Sequence, residues 1–179
     1  MKITAGVTII FRNTLQTIKP FDAKVPIVIR EINIEEIRTV LPLIREMNEK
    51  KFLQFERRMN EKGDRCYVAW VNDQPAHFTW IRMHGIMSIT SANRSYKVPD
   101  DAVWLFDGRT SEKFRGLGIL PAMLSTLCAL QFPTKKRVFT DTSSTNMASI
   151  KSVNKTGFLV AAKVYRLGIF SIPVPFRLS

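Results

Sequence analysis

An arginine followed by two glycines carries the first chemical signal. The segment Arg115-Gly116-Leu117-Gly118-Ile119-Leu120 follows an apolar run, Ala102 to Phe106, and precedes an apolar helical pattern from Pro121 to Leu130. The spacing describes a buried strand that turns sharply into a helix. Gly116 and Gly118 permit positive φ and keep side chains away from the main chain. The first helical turn then aims unpaired N–H groups and the positive end of its dipole into one concavity. Such a concavity suits a phosphate. Many strand-to-helix turns need glycine only for sterics, so the loop alone does not fix a ligand.

Three further patterns accompany it. Downstream come Asn146-Met-Ala-Ser149-Ile150 and then Asn154-Lys155-Thr-Gly157-Phe158. Upstream, Gly63 to Trp70, an Asn72-Asp73 turn and Ala76 to Trp80 form a hairpin pattern. Asp107 lies mid-strand, where a carboxylate is costly unless it is paired or faces a cavity. It is therefore the candidate general base or amine anchor, with a salt bridge to a neighbour such as Arg109 as the alternative. In that order, over about residues 26 to 167, these motifs resemble those of the GNAT superfamily, the acetyl-CoA-dependent N-acetyltransferases.

The resemblance implies a fold: an α/β (α+β) single domain whose strongly twisted mixed sheet splays open, with acetyl-CoA or another acyl-CoA in the gap. It implies an activity, acyl transfer to an amine by direct attack in a ternary complex. It also implies site residues. The backbone of Arg115, Gly116, Leu117, Gly118, Ile119 and Leu120 would hold the pyrophosphate, with Arg115 adding a charge-assisted contact. The edge around Gly108, Arg109 and Thr110 would pair with the pantetheine arm, and Asn146 would lie beside it while capping a helix. Ser149, Lys155, Gly157 and Phe158 are expected to be structural, with a CoA phosphate as a second role for Lys155.

Three features depart from the family pattern. Leu120 stands where the loop usually ends in glycine or alanine, and Pro121 removes one amide. Val153 occupies the position of the usual catalytic tyrosine, which leaves Tyr165, on the next strand, as a substitute acid. No unambiguous base is present. A non-catalytic basic binding module on the same scaffold is therefore one alternative. Acetylation of an amine on an anionic partner, such as aminoacyl-tRNA or an amino sugar at a membrane surface, is another.

The elements that must position these residues follow from periodicity. The 179 residues suit one domain, with residues 1–25 as an N-terminal extension strand and loop packed on a domain spanning 26–179. Strands are expected at Ala5–Phe11, Pro26–Ile32, Cys66–Val71, Ala76–Met83, Ile86–Thr90, Ala102–Thr110, Arg137–Asp141, Phe158–Leu167 and Ile169–Ile172. Asn33 and Glu36 form a capping box before a first helix. Pro42 breaks that helix and a second runs from Pro42 to Lys62, stopped by Gly63. Ser91 to Asp101 is expected as a polar loop. Helices follow at Gly118–Gln131 and after Asn146.

Twenty-seven Lys and Arg against fifteen Asp and Glu give a net charge of +12. That field draws anions: CoA phosphates, RNA or an acidic membrane surface. Cys66 and Cys128 are expected as small core residues, which with the missing CxxC pattern points to a reducing, cytoplasmic setting and no metal. His77 and His84 are expected to be structural. Val7–Phe11 is too short for a secretory leader, and no apolar run approaches the roughly 20 residues of a membrane-spanning helix.

Overall fold

The structure, a computed structural model, describes residues 5–90, 93–167 and 170–173. The chain begins with β1 (Ala5–Thr14) and β2 (Val28–Ile32), followed by α1 (Ile34–Val40) and α2 (Glu49–Lys62). A hairpin of β3 (Arg65–Val71) and β4 (Gln74–Arg82) comes next, then a small one of β5 (Ile86–Ile89) and β6 (Arg94–Lys97). The site-bearing half is β7 (Ala102–Thr110), α3 (Ile119–Gln131), β8 (Arg137–Ser143) and α4 (Met147–Lys155). Strands β9 (Leu159–Leu167) and β10 (Phe170–Pro173) complete it.

Eight strands form one sheet in the order β10-β9-β1-β8-β7-β4-β3-β2. Every neighbouring pair is antiparallel except β7 and β8. A parallel pair needs a crossover, and α3 supplies it. Phe78, Trp80, Trp104, Phe106 and Phe139 pack towards α1 and α2 on one face of the sheet. Val103, Leu105 and Val138 pack towards α3 and α4 on the other. The result is three layers with an apolar core on each side of the sheet.

Local chemistry explains most of the boundaries. Asn33 Oδ1 accepts from the Glu36 amide at 3.0 Å, and Glu36 Oε2 accepts from the Asn33 amide at 3.0 Å, so the capping box is present. Asn72 and Asp73 both have positive φ, 45° and 59°, as the two central residues of a tight type I′ hairpin require. Gly63 ends α2 in the left-handed region. Cys66 and Cys128 are free and buried, and burial pushes both thiols up.

The structure corrects four boundaries. The second helix starts at Glu49, because Asn48 accepts from the Lys51 amide at 2.9 Å and caps it there; Pro42 lies in a short 3-10 turn, Leu41–Leu43. The expected loop from Ser91 contains β6, whose Tyr96 stacks on Trp104 with ring centroids 6.1 Å apart. The segment expected as an N-terminal extension supplies β1, an interior strand bonded to both β8 and β9. The last strand is Phe170–Pro173 rather than Ile169–Ile172, with residue 169 outside the described residues. Pro173 is tolerated there because β10 is an edge strand.

Candidate active site

The glycine loop is open. After β7, the Ser111 amide donates to the Ala76 carbonyl at 2.9 Å, and a 3-10 turn buries Phe114. Gly116 and Gly118 have φ of 80° and 76°. Among the described residues, no hydrogen bond is made by the amides of Gly116, Leu117, Gly118, Ile119 or Leu120; the first helical bond runs from Ala122 to the Gly118 carbonyl. Gly116 and Gly118 to Leu120 border a cleft of about 420 Å³. Among the described residues four cationic side chains line it, Lys24, Arg109, Arg115 and Lys155, and no carboxylate does.

Most of the expected cofactor residues converge on this cleft. Gly108, Arg109, Thr110, Arg115, Gly116, Gly118, Ile119, Leu120 and Asn146 all line it. Leu117 does not; its carbonyl accepts from the Lys24 amide at 2.8 Å and its side chain packs into the core. Asn146 also accepts from the Ser149 amide at 3.1 Å, so it caps α4 while facing the cleft.

The segment between β1 and β2 forms the opposite wall, which the sequence did not suggest. Phe21 lines the cleft, and its amide donates to Ser125 Oγ at 3.2 Å. Lys155 Nζ lies 5.5 Å from the Phe21 ring centroid. The segment is pinned further back: the Lys19 amide and Asn13 Nδ2 both donate to the Thr156 carbonyl, at 3.1 and 2.8 Å.

His77 lies in the cleft wall, fully enclosed. Its Nδ1 is 2.8 Å from Thr110 Oγ1 and its Nε2 is 2.7 Å from Thr79 Oγ1. Burial pushes its pKa down to about 3, so the ring is neutral at pH 7. It positions two hydroxyls and carries no charge to the site.

β7 bulges where it meets the cleft. Asp107 and Gly108 together oppose Thr79, and Asp107 has φ of 49°. The bulge bends the strand, and the β7–β8 pairing ends at Leu105 and Thr140. Beyond that point the two strands separate around a gap of about 190 Å³, which borders Gly108, Leu120, Asn146 and Ser149 and so joins the first cleft.

Two carboxylates enter the gap. Asp107 accepts from Arg58 Nη1 at 2.7 Å, with Arg45 and Lys51 at 3.7 and 3.8 Å. The expected pairing with Arg109 is not the one made. In a regular strand residues 107 and 109 would share a face; the bulge breaks that alternation, and Asp107 is committed to a cation from α2. Asp141, on β8, differs. Trp104 Nε1 donates to its Oδ1 at 2.9 Å, and among the described residues no donor engages Oδ2. Burial pushes the carboxyl up to about 6 against the pull of that one hydrogen bond. Asp141 is not among the residues the sequence singles out: the expected strand, Arg137–Asp141, puts this carboxylate at its end, and only the longer β8, Arg137–Ser143, makes it interior.

Tyr165 does not join them. It projects from β9, separated from β7 by β1 and β8, is 42% exposed and lines neither the cleft nor the gap. Val153 is buried against the gap, so no phenol stands at the usual position. Among the described residues no cluster of three potential metal ligands exists, and no helix is long and apolar enough to cross a membrane.

No protein-family model matches the sequence, and no characterised protein matches it by sequence. Solved structures do match in fold. A functionally unknown conserved protein from Staphylococcus epidermidis superimposes with a TM-score of 0.64 at 14% identity, over 92% of this chain and 62% of that one. A GNAT-family acetyltransferase from Colwellia psychrerythraea gives 0.63 at 13%, over 93% and 56%. The aminoglycoside 6′-N-acetyltransferase of Acinetobacter baumannii gives 0.54 at 13%, over 84% and 100%. The chain thus spans about 60% of the length of the first two structures. These likenesses establish the fold, that of the GNAT acetyltransferases.

Proposed function

We propose that this chain, built on the GNAT fold, transfers an acetyl or other acyl group from an acyl-CoA to an amine by direct attack in a ternary complex. The observation that carries this reading is the row of unengaged amides from Gly116 to Leu120, set over a cation-lined cleft that opens into the gap between β7 and β8. Amides at a helix start, with Lys24, Arg115 and Lys155 around them, fit a pyrophosphate and a further phosphate. Gly118 fits close approach: a Cβ there would meet Phe21 Cε1 at 3.1 Å. The exposed edge at Gly108 to Thr110 suits an extended amide-bearing arm.

Bound acyl-CoA supplies an activated acyl carbon. The protein's own part starts with the acceptor, which must lose a proton before its nitrogen can attack. Asp141 is the group placed to take it: Oδ1 is held by Trp104 and Oδ2 is free in the gap. Three protons begin on the acceptor nitrogen. One passes to Asp141, one leaves with the departing sulfur and one stays on the amide formed. The bulge at Asp107–Gly108 leaves an extra residue outside the ladder, so a main-chain donor is available there for the developing oxyanion. Asp107, held by Arg58, keeps the bulge and α2 together.

Thermal denaturation with acetyl-CoA tests the cofactor site. The melting temperature is expected to rise with ligand in the native chain, and the rise to be abolished in Gly118→Glu, which puts a carboxylate into the cradle. No rise at millimolar acetyl-CoA would leave a binding module on this scaffold.

A further inference from the structure

A second cavity, of about 750 Å³, lies on the other face of the sheet, between α2 and β5, and reaches Phe106. That size suits a small-molecule ligand. Its charge is one-sided. Among the described residues Lys50, Arg57, Arg58, Lys62 and Arg82 line it against one carboxylate, Glu61. Two of the five cations are fixed. Asp64 accepts from Arg82 Nε and Nη2 at 2.8 and 2.5 Å. Arg58, bonded to Asp107, lies within 5.2 Å of the ring centroids of Phe55, Trp80 and Phe106.

The remaining three are poorly neutralised. Arg57 is 3.9 Å from Glu61, with both side chains largely exposed. Lys50 and Lys62 have no ion-pair partner among the described residues, and they are separated by roughly 18 Å of helix. Lys50, Arg57 and Lys62 are exposed, so the hollow presents solvated positive charge that attracts an anion. It repels a polycation, because its one acid is shared with Arg57 and Asp107 is already engaged by Arg58.

The cavity also has the right place. Phe106, which borders it, is followed by the Asp107–Gly108 bulge, and Gly108 borders the cofactor cleft. We propose that this cavity is the acceptor subsite, and that it takes a small amine whose far end carries a phosphate-class anion. The proposal rests on the acetyltransferase reading. It excludes polyamines and other multiply cationic amines as preferred acceptors.

The test titrates pyridoxamine 5′-phosphate and its phosphate-free counterpart pyridoxamine into the protein saturated with CoA, by calorimetry. CoA occupies the other anion site and prevents cross-binding. The phosphorylated amine is expected to bind at least tenfold tighter, and the double variant K50E/K62E, which breaks no ion pair, is expected to erase the difference. Preserved stabilisation by CoA shows that the variant is folded. Equal binding of the two amines, tighter binding of pyridoxamine or spermidine, or an unchanged preference in K50E/K62E would each overturn the proposal. So would displacement by unfractionated tRNA at matched phosphate concentration, which would assign the cavity to a polyanion. If CoA itself fails to stabilise the protein, the acetyltransferase reading falls; the same titration without CoA, read through K50E/K62E, still decides whether the cavity selects the anion.

Discussion

At the scale of single residues, the two carboxylates beside the gap show what separates a structural from a chemical group. Asp107 gives its oxygens to cations; Asp141 keeps one without a donor among the described residues and is half-buried. For an acid whose native pKa is about 6 against an ordinary 3.8, the native state binds the proton more tightly than the unfolded state. The stability this contributes is full below about pH 4 and is lost as pH rises through about 6. The loss amounts to about 3 kcal/mol by pH 8. Asp141→Asn keeps an acceptor for Trp104 and removes the charge. Its stability should exceed that of the native chain at pH 8 and match it at pH 4, as denaturant melts at the two pH values would show. Turnover should fall by about 10²- to 10⁴-fold, and the rate of the native chain should rise with pH through about 6. A variant that gains stability but keeps full turnover would make Asp141 a structural group. The sequence points to Asp107 and not to Asp141 because Asp107 falls mid-strand, whereas the expected strand Arg137–Asp141 ends at its carboxylate and the two further residues of β8 are not announced. Which of two mid-strand carboxylates is free depends on a bulge and on an arginine 49 residues away, neither of which periodicity encodes.

At the scale of elements, the glycine loop and α3 were legible because their signals are local: glycine where φ is positive, an apolar helix behind it, asparagine at the next cap. The facing wall was not legible, because it is made by packing between distant segments. Gly157 shows how tight that packing is. A Cβ there would lie 1.8 Å from the Thr17 carbonyl oxygen, and its φ is 82°. The glycine therefore does more than end α4; it lets the segment before β2 cross close enough to bring Phe21 and Lys24 to the cleft. Gly157→Ala should cost about 2–4 kcal/mol by combining positive-φ strain with a backbone clash. It should also weaken acetyl-CoA binding although residue 157 does not line the cleft. Chemical denaturation measures the first effect and a CoA titration the second. A loss of stability with unchanged CoA affinity would mean that the wall does not shape the site.

At the scale of the whole molecule, the position of β1 decides how the sheet is held together. Its sequence, apolar and β-branched, announces a strand, but no local pattern says which neighbours it will have. An added edge and an interior strand look alike until the partners at the far end of the chain are known, and here they are β8 and β9. The two alternatives differ in backbone bonding. In an antiparallel strand the amides of successive residues point to opposite sides, so an edge strand leaves every second amide unpaired, and proline is tolerated there. An interior strand has no such position outside a bulge, and the bulge beside Ile10 puts its extra residue on β9, where Ile10 pairs with Ala162 and Phe11 with Val160. Ile9 pairs with Thr142 on one side and Lys163 on the other, and Ile10 with Asp141 and Ala162. Ile9→Pro and Ile10→Pro should therefore both be destabilised by about 3 kcal/mol or more relative to Ile9→Ala and Ile10→Ala, with the alanine variants subtracting the lost side-chain packing. Equilibrium denaturation of the four variants gives the comparison. Tolerance of proline at either position would return β1 to the edge and detach β9 and β10 from the sheet that carries the site. Because Ile10 is paired directly with Asp141, any proline variant that still folds should also show a displaced carboxyl pKa, readable in the pH dependence of its stability.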